Sequence, residues 1–449
     1  MSADRERIET IVIDPIINIG WRFYIFAALM MAVVLWGAYA YWYQLQNGLG
    51  VTGLNQRVFW GIYMANFVFF IGISHAGTLI SAILRVTHTE WRKPLTRMAE
   101  AITLIALFIG AAQVVVDMGR PDRLILVIFQ GRLISPIFWD FLSISTYITG
   151  SLLFLYVAMI PDIALLRDKF NEMDRFSIRK YLYRVLAIGW QDSPAQRERL
   201  NKSLAVIAIL IIPIAISVHT VVSWVFAMTW RVGWNSTIFG PYFVVGAIFS
   251  GIAALIVAMA VYRKVYHLEE IIDQRLFRNL GYLLFVFVGI YFYFTFAEYL
   301  TSVYRGGKGD VELIEELFLG EYIAFFFVFI VAALFLPGII LVFSCWKYES
   351  EKAVWATASA AALVVLGMWV KRYIIVVPAL SRPFVLQAWT RYVPTWVEVS
   401  ITLASVAAFL LAYAIFSRIF PIVSIWELFE DEAAELAEAK KVLSKDKPA

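Results

Sequence analysis

Along this chain apolar residues follow neither the alternation of strands nor the single stripe of a surface helix. They come in runs of roughly twenty, broken by short stretches of Gly, Pro and charge. About ten such runs appear, at 21–45, 58–84, 97–117, 136–160, 203–228, 240–262, 279–300, 319–344, 353–375 and 397–420. In hydrocarbon every backbone N–H and C=O must be satisfied within its own segment, so these runs predict spanning helices and an all-α integral membrane protein.

The breaks set the orientation. With the N-terminus inside, 27 of the 38 Lys and Arg residues fall in the inner segments and 11 in the outer connections, Lys371 and Arg372 among the latter. This bias predicts both termini on the cytoplasmic side. The N-terminal stretch mixes Asp4, Arg5, Glu6, Arg7, Glu9 and Asp14 with no small-residue cleavage site after a short apolar core, so no signal peptide is expected. The longest inner connection, 161–202, carries Phe170, Met173, Phe176, Ile178 and Leu182 at spacings that predict an interfacial helix. The tail from Glu427 to Lys447, acidic and then basic, reads as a short solvated helix.

Shifting the chain by 179 positions aligns Gly61 with Gly240, Tyr63 with Tyr242, Phe70 with Phe249, Gly72 with Gly251, Val86 with Val265 and His88 with His267. Such a parallel repeat predicts two similar four-helix bundles plus two flanking helices. The expected organisation is a cytoplasmic N-terminus (1–20), a first flanking helix (21–57), a first bundle with its cytoplasmic loop (58–228), a second bundle (229–375), a last flanking helix (376–420) and a cytoplasmic tail (421–449).

Composition narrows the chemistry. The chain is 61% hydrophobic with a mean hydropathy of +0.75, so lipid is its principal solvent. One cysteine, Cys345, permits no internal disulfide and none of the cysteine sets that hold iron–sulfur clusters or covalent haem. A metal redox centre is therefore expected from a partner, with no metal held by this chain. A net charge of +4 without a basic, aromatic-interleaved face points to topology and not to nucleic acid.

Ionisable residues inside a membrane are functional candidates, because each costs a few kcal/mol or more to place there. His75, in Gly72-Ile73-Ser74-His75-Ala76-Gly77-Thr78, is expected roughly 25 Å below the outer end of its helix. His219 is expected roughly 13 Å deep. That difference argues against a haem held between them. His88 and His267 fall in inner connections and read as surface residues. Asp117, Asp122, Asp140, Glu298, Glu321 and Glu398 gather at outer helix ends. Glu321 and Glu398 read as solvated or arginine-paired. Asp117 and Asp140 flank a connection holding Arg120, Arg123 and Arg132, and a carboxylate there can accept the proton a quinol releases on oxidation. Tyr291, Tyr293 and Tyr299, with Trp139, Trp224 and Trp230, read mostly as an interfacial aromatic belt.

Asp117-Met118-Gly119-Arg120-Pro121 resembles the D-L-G-R-P signature of NrfD/PsrC-type membrane subunits. The stretch His75 to Leu84, with Trp139-Asp140, Ile144 to Tyr147 and Ile160-Pro161-Asp162, resembles the large NrfD-like subunits, ActC and ActF, of bacterial alternative complex III. The resemblance implies menaquinol oxidation at the outer side of a bacterial cell membrane. It implies electrons passing to an iron–sulfur subunit and on through multihaem cytochrome c subunits, beside a homologous NrfD-like membrane subunit. Carried onto this sequence, His75, Asp117 and Asp140 are the catalytic candidates, with Arg120, Arg382 and Arg391 binding quinol and His75, His219 and Glu298 in a proton pathway. An ActF-like role implies a scaffold or proton-conducting subunit without a quinol site. A secondary transporter is the rival from another class, and it predicts Gly/Pro-broken helices at matching positions of the two halves, which the sequence lacks.

Overall fold

The computed structural model describes residues 2–87, 89–173, 178–229, 231–346, 350–383 and 389–429. Among these the secondary structure is helical. Helix α1 (Ser2–Ile17) precedes α2 (Trp21–Asn47), α3 (Ile62–Val86), α4 (Thr96–Asp117), the short α5 (Leu124–Gln130), α6 (Pro136–Glu172), α7 (Ile178–Leu186), α8 (Pro194–Ala227) and α9 (Phe239–Val265). Then follow α10 (Gln274–Arg305), α11 (Lys308–Phe318), α12 (Ile323–Phe329), a π-helical segment Ile330–Phe335, α13 (Leu336–Trp346), α14 (Glu351–Ser381), α15 (Trp396–Ile419) and α16 (Ile425–Leu428).

Among the described residues nine helices are long and apolar enough to cross a membrane, counting the continuous rod α12–α13 as one. The 25-residue α3 packs on α4, α8, α9 and α14. Helices α1 and α16 pack together at one end, the proximal face, and the connections holding α5 and α11 lie at the other, the distal face.

Helices α3, α4, α6 and α8 close a ring in which each packs on the next, and α9, α10, α12–α13 and α14 close a second. Contacts of α3 with α9 and α14, and of α8 with α9, join the rings. Helix α2 pairs with α15 outside them, where Gly37 lies so close to Ala404 that a methyl group at 37 would collide. Close approach over small residues is what holds helices together where no hydrophobic drive separates helix from lipid. The outer face of α2 presents Trp21, Leu29, Leu35, Trp36 and Trp42, each more than half exposed, as a lipid-facing surface.

Several helices outrun their apolar cores. Helix α6 continues through Pro161 to Glu172, α8 starts at Pro194, and α14 continues through Pro378 to Ser381. A proline inside a helix removes one hydrogen bond and does not end the helix when other groups take up the freed carbonyls. Lys371 and Arg372, counted with the distal connection although they fall within the predicted run 353–375, are buried inside α14, 3% and 1% exposed. The interfacial helix is α7 over 178–186, while Phe170 belongs to α6 and Phe176 lies outside the described residues. Glu427 is not solvated either. It is fully buried in α16 and pairs with Arg85 at 2.5 Å and Arg92 at 2.7 Å, and residues 430–449 lie outside the described residues.

Candidate functional site

The Asp117-Met118-Gly119-Arg120-Pro121 stretch is a helix stop. Helix α4 ends at Asp117, Gly119 takes the left-handed φ of +65°, and Pro121 opens a single 3-10 turn. A side chain at 119 would be strained, and its Cβ would come 2.7 Å from Leu49 Cγ. The turn leaves Asp117 as the last helical side chain, directed among the distal ends of α2, α3 and α15. Among the described residues its buried Oδ1 has no hydrogen-bond partner. Gln44 donates to the Val116 carbonyl at 3.0 Å and accepts from the Tyr63 hydroxyl at 2.7 Å, and Tyr63 and Glu398 are the charged or ionisable neighbours of Asp117.

Glu398, expected to be solvated or arginine-paired, is fully buried and accepts from Gly53 N at 2.7 Å, Tyr392 OH at 2.5 Å and Thr395 N at 2.9 Å. It caps α15 and pins the connections 48–61 and 389–395 over the site. From this cluster a polar ladder runs inward. Asn66 Nδ2 donates to Thr402 at 2.8 Å, Gln113 Nε2 to Ser405 at 2.8 Å, and Trp369 Nε1 to Asn66 Oδ1 at 2.9 Å.

Asp140, just past the first turn of α6, also has a buried Oδ1 without a partner among the described residues, and no hydrogen bond joins it to Asp117. Around it the distal connection displays Phe129, Leu133, Ile134 and Ile137, each at least 60% exposed. The three arginine candidates stay near the surface or in other pairs. Arg120 lies exposed and pairs with Asp122 at 2.8 Å, a hydrogen bond that holds the Asp122 carboxyl below the usual carboxylate range. Arg382 is buried between Glu321 at 2.9 Å and Glu316 at 3.4 Å, over the Trp389 ring, and Arg391 is exposed, 4.0 Å from Glu321. Glu321 is thus arginine-paired, as expected.

His75 is not part of the Asp117 cluster. Between Tyr63, the neighbour of Asp117, and His75 lie three turns of α3, roughly 18 Å at 1.5 Å per residue. It meets His219 instead, with ring centroids 3.8 Å apart and the planes at 64°. This overturns the expected difference in depth. A side chain leans toward the N-terminus of its helix, and α3 and α8 run antiparallel, so the two rings lean toward each other. Rings in edge-to-face contact leave no space between them for a haem. His75 Nε2 faces the Ala215 carbonyl at 2.5 Å and Nδ1 the Ile71 carbonyl at 3.2 Å, whereas neither nitrogen of His219 has a partner among the described residues. A neutral imidazole carries one N–H, so it can bond one of those two carbonyls; an imidazolium bonds both. The exposed His267 lies at the surface as expected, and His88 lies outside the described residues.

Beside the histidines stands Arg372, whose three guanidinium nitrogens have no hydrogen-bond partner among the described residues. It packs over the Phe243 ring at 5.1 Å, in space left by Gly72 and Gly246. Lys371 points into the second ring of helices, with Nζ 3.3 Å from Tyr299 OH and about 5 Å from the Tyr242, Tyr299 and Phe329 ring centres. Tyr291 and Tyr299 therefore line the protein interior and not a belt, while Tyr293 and Trp224 face outward, 65% and 45% exposed. Glu298, 7% exposed, accepts from Ser236 at 2.6 Å.

At the proximal end Arg97 bonds Asp162 at 3.0 Å and the Ala158 carbonyl at 2.9 Å, and Trp426 bonds the same two residues. These contacts occupy the carbonyl beside the one that Pro161 leaves without a donor. Ser81 donates to Glu100 at 3.1 Å, and Glu100 Oε2 is buried without a partner among the described residues.

Among the described residues, nine apolar helices long enough to span a bilayer, two rings of helices and ionisable groups buried among them define a polytopic membrane protein. The profile of the family described as "Polysulphide reductase, NrfD" matches residues 50–384, and the chain belongs to that family. It is 26% identical over 300 residues to a dimethyl sulfoxide reductase membrane protein, the C component of that enzyme by its name, from Halobacterium salinarum, covering 66% of this chain and 64% of that protein. It is 22% identical over 369 residues to the C component of the selenate reductase of Mesobacillus selenatarsenatis, covering 80% and 83% of the two chains. Over 366 residues it is 22% identical to the "Hdr-like menaquinol oxidoreductase integral membrane subunit" of Archaeoglobus fulgidus, covering 81% and 80%.

Proposed function

We propose that this chain is the membrane subunit of a quinol-linked oxidoreductase complex, exchanging electrons between menaquinol and an iron–sulfur partner docked at the distal face. The observation that carries the reading is Asp117, a buried carboxylate with an unpartnered oxygen, held at the distal helix ends by the motif that resembles the NrfD signature. Menaquinol gives up two electrons and two protons on becoming menaquinone. The electrons go to the partner's cluster, and Asp117, with Asp140 as the second acceptor, takes the protons. Arg120, Arg382 and Arg391 edge the site or bind the partner and do not contact the reacting ring.

The relatives' names favour a reductase assembly, in which menaquinol feeds a terminal acceptor through the partner. Alternative complex III, with multihaem cytochrome c subunits and a second NrfD-like subunit, is the second reading, supported by the His75 to Leu84 stretch. Either assembly places the proximal face, with both termini, in the cytoplasm of a bacterial cell. With Lys371 and Arg372 counted inside the membrane, the bias of basic residues toward that face becomes sharper. Within this reading His75, His219 and Glu298 belong to a route that moves protons across the membrane during turnover.

Purification of the complex with its native partners, followed by quinone extraction and haem spectroscopy, tests the proposal. Stoichiometric menaquinone that is lost in Asp117→Asn supports the quinol site, and haem c in the same preparation selects the alternative complex III assembly. Full quinone content and full quinol oxidation in the double variant Asp117→Asn, Asp140→Asn would sink the quinol site.

A further inference from the structure

Lys371 occupies a position that the quinol chemistry does not use. Helix α14 carries it 3% exposed within the second ring, and among the described residues no carboxylate lies within ion-pair distance. Its ammonium is held by aromatic faces, those of Tyr242, Tyr299 and Phe329, and by one hydrogen bond to Tyr299. Such a setting attracts a cation without neutralising it. Toward the distal face a cavity of about 50 Å³ opens from Lys371, with Glu298, Ser302 and Asp310 in its wall. That volume holds one or two waters, and the wall supplies the polar partners they require. Asp310 is held at the outer part of this wall by the half-exposed Arg305.

On the other side, Tyr242 bonds Thr295 at 2.7 Å, Thr295 bonds the Tyr291 carbonyl at 2.7 Å, and the Tyr291 ring lies 4.8 Å from that of Tyr242. Tyr291 and Arg372 meet at Gly246, where an added methyl would come 2.9 Å from the Tyr291 ring and 3.0 Å from the Arg372 guanidinium. Arg372 in turn reaches Gly72, one turn from His75. The backbone is specialised at the same level. The π-helical segment Ile330–Phe335 follows Phe329, and its Ala333 packs on Gly367, one turn before Lys371. Single π-helical turns cost helix stability and cluster at functional sites.

We propose that Lys371 is a proton-binding residue at the floor of a distal half-channel. In this proposal the route turns at Lys371 from the second ring of helices, past Tyr291 and Arg372, to the His75–His219 pair of the first. The ammonium gives its proton to a cavity water or to the Glu298 carboxylate, and the resulting amine takes a proton arriving from the histidine side. Arg372, which stays charged, keeps other cations from following. The inference rests on the proton-translocation reading above and adds the residue that binds the proton between Glu298 and the histidines.

The test uses the complex with its native partners in sealed vesicles, with quinol oxidation and vectorial protons per electron measured together. Lys371→Arg keeps the charge and the ring contacts but cannot release a proton, and Lys371→Met removes the charge. Both are expected to lower the proton-to-electron ratio roughly twofold or more, with most of the uncoupled quinol oxidation retained. Glu298→Gln should lower the ratio in the same way. A wild-type ratio in Lys371→Arg overturns the proposal, because it would make Lys371 a fixed charge and leave the quinol reading intact. Should Lys371→Met fail to assemble, the Arg variant alone decides. A wild-type complex that oxidises quinol without vectorial protons sinks the parent reading and this inference with it.

Discussion

The imidazoles of His75 and His219 meet edge to face, 3.8 Å between centroids, at the seam where α3 and α8 approach α9 and α14. His75 has a backbone carbonyl within reach of each ring nitrogen, whereas His219 bonds nothing among the described residues. A polar ring buried without partners costs about 1–3 kcal/mol. Replacing it by Phe should therefore leave the thermal midpoint of the purified complex unchanged or slightly raised. If the pair relays protons, vectorial transport in the same variant should fall roughly tenfold. Unaltered transport in His219→Phe would remove this residue from the route.

Asp117 and Asp140 are predicted to act on quinol and not on stability. Asp117→Asn keeps the shape of the side chain and loses the proton acceptor, so quinol oxidation should fall by about two orders of magnitude. A smaller loss is expected for Asp140→Asn, the second of the two acceptors. Steady-state rates against quinol concentration separate a loss of turnover from a loss of binding.

Glu427 supports two arginines at once, both beside a fully buried carboxylate. Removing one partner of a buried pair costs about 3–5 kcal/mol, and Glu427→Gln is expected to destabilise the chain by that order. The exposed Arg7–Glu270 pair provides the comparison, with Arg7→Ala expected within about 1 kcal/mol of wild type. Thermal unfolding in detergent reads both.

Gly77 lies where α3 and α4 come closest, and any side chain there would strike the Ala99 carbonyl and Thr103. Gly77→Leu should prevent the close contact and reduce the yield of folded protein. Gly289→Ala, with nothing within 4 Å of the added methyl, should stabilise α10 by about 0.5–1 kcal/mol. Size-exclusion profiles and thermal midpoints distinguish the two.

Hydropathy made the helices legible, because a spanning segment must be apolar over its whole length. Helix ends were less legible. The connection reads as opening at Pro161, yet Arg97 and Trp426 bond the backbone beside that proline, and α14 runs past the predicted end at 375 through Pro378 to Ser381. Lys371 and Arg372 fall inside the predicted run 353–375, but the charge count assigns them to the distal connection and so passes over them. Two adjacent cations within an otherwise apolar run were the available signal. Asp117 was legible as a motif residue, whereas its companions Gln44, Tyr63 and Glu398 come from three other helices. The contact between His75 and His219 depends on side-chain lean between antiparallel helices, which depth counted along each helix does not contain.

Arg85 and Arg92 are made early in translation, and the carboxylate that neutralises them follows 342 and 335 residues later. Until Glu427 leaves the ribosome, the two cations at the proximal edge of the first ring lack this counter-ion, so that edge closes fully only after α16 is in place. Helix α16 thus acts as a latch on biogenesis: a product terminated before Glu427 leaves the proximal edge of the first ring unsealed.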